Sequence, residues 1–334
     1  MSQRAATLTG IEPRGVIEGA RLWLRGEGLP APPPPEAAIS VGGVTARVVF
    51  SSPDRVAVIV PPAAAPGRAP VRATWAPGAT LFVDVGVQLA TGLHAVDSPV
   101  VGPDGWIYVA FSGPRGQESA VSVYRVSPES GREAFVEGIV NATSLAISPD
   151  GVLHVSSRYT GTIYRIAPDG TPEPAASELG VACGLAFAPD GSFFVGDRTG
   201  TIHRVVDGGA RVETFASLPP SVAAFHLAMG PDEKLYVTAP TLSTHDAVHR
   251  FDASGRAEVL DATFGRPQGL AFDGHGVLHV VEALAGASAV YRLDAGAARR
   301  LVMAGPGLIG VAFTGDGRML TATTDSLFAF PPLP

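Results

Sequence analysis

The chain has 334 residues, 46% hydrophobic and only 16% charged, with 40 glycines and 30 prolines; that is enough apolar material for a substantial core and excludes a disordered polymer. Its formal net charge of -7 lacks the basic footprint that nucleic acid or an anionic membrane surface requires, so neither is expected as a partner. A single cysteine, Cys183, excludes an intramolecular disulfide and any multi-cysteine metal site. The opening MSQRAATLTGIEP has no apolar core of the signal-peptide kind, and no run of about 18 apolar residues occurs, so a cytoplasmic protein is expected, or an extracytoplasmic one if the start is truncated.

Residues 8 to 86 differ from the rest. Short runs of alternating apolar residues, Arg21-Leu22-Trp23-Leu24, Ala38-Ile39-Ser40-Val41, Val44-Thr45-Ala46-Arg47-Val48-Val49 and Arg55-Val56-Ala57-Val58-Ile59-Val60, are punctuated by glycine and proline, which predicts a small β-sandwich. The Ile11-Glu12-Pro13-Arg14-Gly15 opening, the later Gly26-Glu27-Gly28, the V-G-G-x-x-A segment at Val41 and the closing Val60-Pro61-Pro62 resemble the IPT/TIG family of immunoglobulin-like domains. That resemblance implies an interaction or spacer module. The run Pro30-Ala31-Pro32-Pro33-Pro34-Pro35 is read as a stiff surface loop, with a polyproline ligand for an SH3-type partner as the alternative.

From residue 97 onward one unit recurs. ACGLAFAPDGSFFVGDRTGTIHRV at Ala182 has variants starting at Val100, Leu145, Leu227, Leu270 and Val311; the turn residues Asp104, Asp150, Asp190, Asp232, His275 and Asp316 are 46, 40, 42, 43 and 41 residues apart. Such a period marks a propeller, solenoid or array. In the third copy, Pro189-Asp190-Gly191, Arg198-Thr199-Gly200 and Asp207-Gly208-Gly209 supply the turns between four strands. The fold class predicted is therefore all-β: a sandwich over 1–86 and a six-bladed β-propeller of four-stranded blades over 87–334. The sixth copy has only three strands, so residues near 86–92 are expected to complete its blade and close the ring.

The recurring G-L-A-F-x-P-D-G-x-L-Y-V pattern resembles NHL-repeat proteins and, more loosely, the SMP-30/gluconolactonase-like group. In propellers the starts of inner strands and the ends of second strands converge at one mouth of the central channel, the default ligand site. Here these positions hold Asp97-Ser98, Thr143, Cys183, Phe225-His226, Gln268 and Ile309, and Ser112, Ser157-Arg158, Asp197-Arg198, Thr238 with His245-Asp246, Glu282 and Thr324-Asp325. The lactonase-like group implies a divalent cation such as Ca²⁺, held by a Glu, two Asn and an Asp; Asp97, Cys183, Phe225 and Gln268 stand at the matching places, leaving Asp97 as the one hard ligand.

Other combinations carry chemistry of their own. His226, His245, Asp246 and Glu282 would make a His/carboxylate metal site or an acid-base pair if they met, with Gln268, Glu282 and His226 the candidates for catalysis; otherwise they are loop residues. Asp197 is read as a turn residue as well as a rim residue. The dyads Tyr124-Arg125, Tyr164-Arg165, His203-Arg204, His249-Arg250 and Tyr291-Arg292 predict blade-to-blade ties to turn carboxylates, and His154 and His279 stand where other copies carry packed aromatics. No P-loop, G-x-S-x-G or H-E-x-x-H motif occurs. The sequence thus points to a non-catalytic binding or scaffolding protein that needs no cofactor and presents Asp97, Arg158, Asp197, Arg198, His226 and Glu282 to a protein, peptide or carbohydrate. A metal-dependent lactonase or related hydrolase with a rearranged site is the alternative.

Overall fold

The computed structural model describes residues 6–31 and 38–332; Pro32 to Pro35 of the proline run lie outside them. The N-terminal strands are β1 (Thr7–Glu12), β2 (Gly15–Val16), β3 (Arg21–Glu27), β4 (Ile39–Val41), β5 (Val44–Ser51), β6 (Arg55–Ile59), β7 (Gly67–Ala73), β8 (Leu81–Val85) and β9 (Val87–Ala90). β5 pairs with β4 through Val44, Thr45 and Ala46 and with β6 from Arg47 onward, so it links the row β1-β3-β6-β5 to the row β4-β7-β8. Leu22, Leu24, Ile39, Val41, Val58, Val71 and Val83 alternate inward from these strands and are fully buried in one cluster.

The repeats follow as four-stranded antiparallel meanders. These are β10 (Val100–Val101), β11 (Ile107–Ala110), β12 (Val123–Ser127) and β13 (Gly131–Val136); β14 (Ala142–Ile147), β15 (Leu153–Ser157), β16 (Thr162–Ile166) and β17 (Pro172–Ala176); β18 (Ala182–Phe187), β19 (Phe193–Asp197), β20 (Thr201–Val206) and β21 (Arg211–Ser217); and β22 (His226–Met229), β23 (Leu235–Thr238), β24 (Asp246–Phe251) and β25 (Ala257–Phe264). The fifth repeat supplies β26 (Pro267–Phe272), β27 (Leu278–Glu282), β28 (Ala289–Leu293) and β29 (Arg300–Ala304), and the sixth β30 (Leu308–Phe313), β31 (Arg318–Thr323) and β32 (Leu327–Pro332). β9 pairs antiparallel with β32, Ala90 opposite Leu327, so an early strand is the outermost of the last sheet.

Two expectations are corrected here. The propeller has five discrete four-stranded blades, not six, because β26–β29 end a twelve-stranded sheet that continues through β2 into the N-terminal strands. For the same reason no separate immunoglobulin-like domain stands apart. β2 pairs in parallel with β29 on one side and β8 on the other, and Ala289 and Ala304 of the fifth repeat belong to the N-terminal core. Ile17, in return, is buried among Val302, Met303 and Phe330. Gly15 is required by this contact, since a Cβ there would lie 2.8 Å from the Cβ of Met303.

The five Arg dyads stay within their own repeats instead of tying blade to blade, although Arg204 and Arg250 do reach the turn carboxylates Asp190 and Asp232. Arg125 pairs with Glu133 at 3.0 Å, Arg204 with Asp190 at 2.9 Å, Arg250 with Glu258 at 2.5 Å and Arg292 with Asp294 at 2.8 Å, while Arg165 reaches Glu173 at 3.9 Å. Every partner lies on the same meander as its arginine. The reason is register: Arg125, Arg165 and Arg250 sit directly opposite Glu133, Glu173 and Glu258 on the neighbouring strand.

Candidate functional site

The inner strands surround a cavity of about 380 Å³ to which every repeat contributes, with Ile147, Phe187, Met229, Phe272 and Phe313 among its apolar lining. One end is spanned by Asp97 and Ser98. A Cβ on Gly310 would lie 2.5 Å from the Cα of Ser98, and one on Gly269 2.4 Å from the Ser98 hydroxyl, so these two glycines permit the crossing. On the far side, Nδ1 of His226 donates to Oδ1 of Asp97 at 2.6 Å, and the same oxygen accepts from the Ser98 amide at 2.6 Å. His226 begins the inner strand of the fourth repeat, and the bond therefore reaches across the ring. Both side chains are buried, His226 to 1% exposure and Asp97 to 8%, and Nε2 of His226 has no partner.

Three of the rim carboxylates are turned inward. Asp197 accepts from the Val181 and Thr199 amides at 2.9 and 3.1 Å and from the Thr199 hydroxyl. Glu282 accepts from the amides of Gly265, Arg266 and Leu284 at 2.6, 2.7 and 3.0 Å. Asp246 accepts from the amide and hydroxyl of Thr241 at 3.0 and 2.6 Å. All three are buried. Asp197 and Glu282, at the ends of second strands, satisfy amides of the chain leading into their inner strands, and Asp246, at the start of β24, satisfies the loop that precedes it; these amides would otherwise be orphaned. These groups tie loops together and are not presented to a ligand.

The expected meeting of His226, His245, Asp246 and Glu282 does not occur. His226 faces Asp97, Asp246 faces Thr241, Glu282 faces its own loops, and His245 is exposed. Among the described residues no three His, Cys, Asp or Glu side chains gather where they could hold a metal ion. Asp97 spends one oxygen on His226 and Ser98, and Phe225, at a position where the lactonase-like group has a ligand, is fully buried in the core. The donor set does not fit a Ca²⁺-like ion, which wants several oxygens. Gln268 is half-buried at the start of β26, and its backbone carbonyl accepts from the Thr238 hydroxyl at 2.6 Å.

What the rim does present is positive. Arg158 and Arg198 follow the second strands of adjacent repeats and are half-buried. Their backbones are fixed: the Arg158 amide donates to Asn141 O at 3.3 Å and the Arg198 amide to Val181 O at 3.1 Å. Burial lowers the Arg158 pKa below its ordinary value, and the charges of Arg198 and Arg115 push it the same way. Between them, at the start of β18, Cys183 is 1% exposed, and burial pushes its thiol up to about 12 against the weaker pull of the two arginines.

A clamp unforeseen from the sequence sits alongside. Asn141, at φ +50, donates through Nδ2 to the carbonyls of Ser112 and Pro114 at 2.5 and 2.9 Å and accepts from the Gly116 amide at 2.7 Å. It thereby pins the loop that carries Arg115. The one signal available was its residue type, since asparagine tolerates a left-handed backbone.

No protein-family model and no curated protein matches the chain. Solved structures do. A structural genomics protein of unknown function from Bacteroides thetaiotaomicron aligns over 99% of this chain and 98% of its own at 12% identity and TM-score 0.57. An auxiliary nutrient binding protein from Bacteroides ovatus aligns over 99% of both chains at 12% identity and TM-score 0.55. Virginiamycin B lyase from Staphylococcus aureus aligns over 90% of this chain and all of its own at 13% identity and TM-score 0.53. Likeness at this identity establishes a shared β-propeller fold and leaves function to the site.

Proposed function

We propose that this protein is a non-catalytic binding propeller that takes its ligand on the rim around Arg158 and Arg198. The observation that carries the reading is the division of labour among polar groups: Asp97, Asp197, Asp246 and Glu282, the carboxylates a hydrolase would use, are spent on internal bonds, while two half-buried guanidinium groups are left open. General acid-base work needs a group within reach of the substrate proton, which these carboxylates are not. A solved propeller of the same span described as a nutrient binding protein fits ligand binding in general. In this reading the division falls near residues 86 and 87, and the N-terminal strands act as an IPT/TIG-like spacer that holds the propeller at a set orientation.

Calorimetric titration with a panel of oligosaccharides and peptides tests the proposal, run beside a lactone and ester hydrolysis screen. Saturable binding without turnover is the expected result. Robust lactone hydrolysis abolished by Gln268→Ala refutes it.

A further inference from the structure

Seven arginines among the described residues are partly buried: Arg125, Arg158, Arg198, Arg204, Arg250, Arg292 and Arg299. Four of them meet a carboxylate within 3.0 Å. Arg299 lies over Phe264 and Tyr291, 4.2 and 4.6 Å from the ring centroids, and donates to Thr263 O at 3.2 Å. Arg158 and Arg198 alone have neither an anion, an acceptor nor a ring. A guanidinium taken partly out of water without a partner is costly, and such groups in folded proteins are normally satisfied.

Those two arginines are also neighbours. They occupy the same place in consecutive repeats, and the charge of Arg198 bears on Arg158 as both bear on the Cys183 thiol. Cys183 is held neutral by burial, and the charges of Asp97 and Asp197 reach the same place. Neither carboxylate pairs with an arginine, Asp97 being bonded to His226 and Asp197 to two amides and a hydroxyl, and the exposed Arg115 adds to the positive side. Three guanidinium groups thus stand against two inward-turned carboxylates in a chain of net charge -7. A second, independent feature of the same rim is the buried and unpartnered Nε2 of His226, 1% exposed. Beside Arg158, Tyr159 stands 57% exposed on the same turn, with Gly116 close beneath its ring.

We infer that the rim selects a carboxylate-bearing sugar, its carboxylate bound between Arg158 and Arg198 and its ring set against Tyr159. The planar guanidinium matches a carboxylate in a two-bond fork, and two of them from rigid strand ends hold it without reorganisation. An aromatic face beside that fork covers the apolar side of a pyranose. This deepens the binding reading proposed above and rests on it.

The test is calorimetric titration of the full chain with D-glucuronate, D-glucose and glutarate at low and at 0.5 M salt. Glucuronate should bind, glucose should bind at least about tenfold more weakly, and the glucuronate affinity should fall at high salt as exposed charges are screened. Arg158→Ala and Arg198→Ala should each weaken glucuronate about tenfold or more with unchanged melting temperature, since both side chains are without structural partners; Arg198→Lys, keeping charge without the fork, should fall between. Tyr159→Ala should weaken glucuronate but leave glutarate untouched. Equal binding of glucose and glucuronate, insensitive to both arginine variants, overturns the inference and leaves a binding propeller; no binding of any of the three overturns the inference, and failure of the wider oligosaccharide and peptide panel then overturns the binding reading as well.

Discussion

Replacing Glu282 by alanine removes the acceptor for three backbone amides, those of Gly265, Arg266 and Leu284, at 2.6, 2.7 and 3.0 Å. The carboxylate is 3% exposed, so the amides it serves cannot all turn to water without moving the loop before β26 and the loop after β27. Hydrogen bonds to a charged group are worth roughly 1.5–3 kcal/mol each, and the amide of Arg266, an exposed residue, recovers part of its share from solvent. The net loss should be roughly 3–5 kcal/mol, which puts Glu282→Ala among the severe single substitutions. Glu282→Gln keeps one acceptor oxygen but turns an NH₂ toward a donor, and should lose about half as much. Urea unfolding followed by tryptophan fluorescence reads both. Glu282→Ala at wild-type stability, with ligand binding abolished, would refute the reading of this carboxylate as a loop tie and return it to the rim.

Two further outcomes follow from buried titratable groups. Cys183, its thiol pushed up to about 12 by burial, should resist iodoacetamide at pH 8 in the native protein and react fully in urea, as intact-mass spectrometry reads; rapid native alkylation would contradict its burial. Burial lowers the pKa of His154 and His279 below 6.5, so the unfolded chain binds more protons than the native one as pH falls through that value, and stability should decline between pH 7 and 5. His154→Phe with His279→Phe, matching the aromatics that other repeats carry there, should flatten that decline in a melting series; an unchanged slope would rule these histidines out as its cause.

Much of this architecture is legible because it is local. The P-D-G turns and alternating apolar runs announce four-strand meanders residue by residue, and Arg158 and Arg198 can be placed on the rim by their position after a second strand. What is not legible depends on pairing at a distance. β2 is two residues long, Gly15–Val16, and carries no pattern that could announce a parallel link to both β8 and β29. That link merges the fifth repeat with the N-terminal strands, so a sixth discrete blade and a free-standing sandwich are not what forms. The bond between Asp97 and His226 spans 129 residues, and the three carboxylate ties look like ligand-ready rim residues until their amide partners are located.

The junction has a mechanical consequence. Ordinary tandem domains meet through small polar interfaces and move relative to one another, whereas here a continuous hydrogen-bonded sheet passes from one region to the other. Ile17 donates to Ala304 O at 3.2 Å, Gly86 to Val16 O at 2.8 Å and Asp84 to Arg14 O at 2.7 Å, with apolar side chains exchanged between the two cores. Separating the regions therefore breaks sheet bonds and exposes core, and the chain should unfold in one calorimetric transition. Gly15→Ala sets a methyl 2.8 Å from the Cβ of Met303, closer than packed carbons come, and must push β2 away from β29. Overpacking of this kind costs roughly 1–3 kcal/mol, and because the strain falls on the link alone, the variant's endotherm should split in two. Two transitions in the wild-type protein would show instead that the shared sheet does not couple its halves.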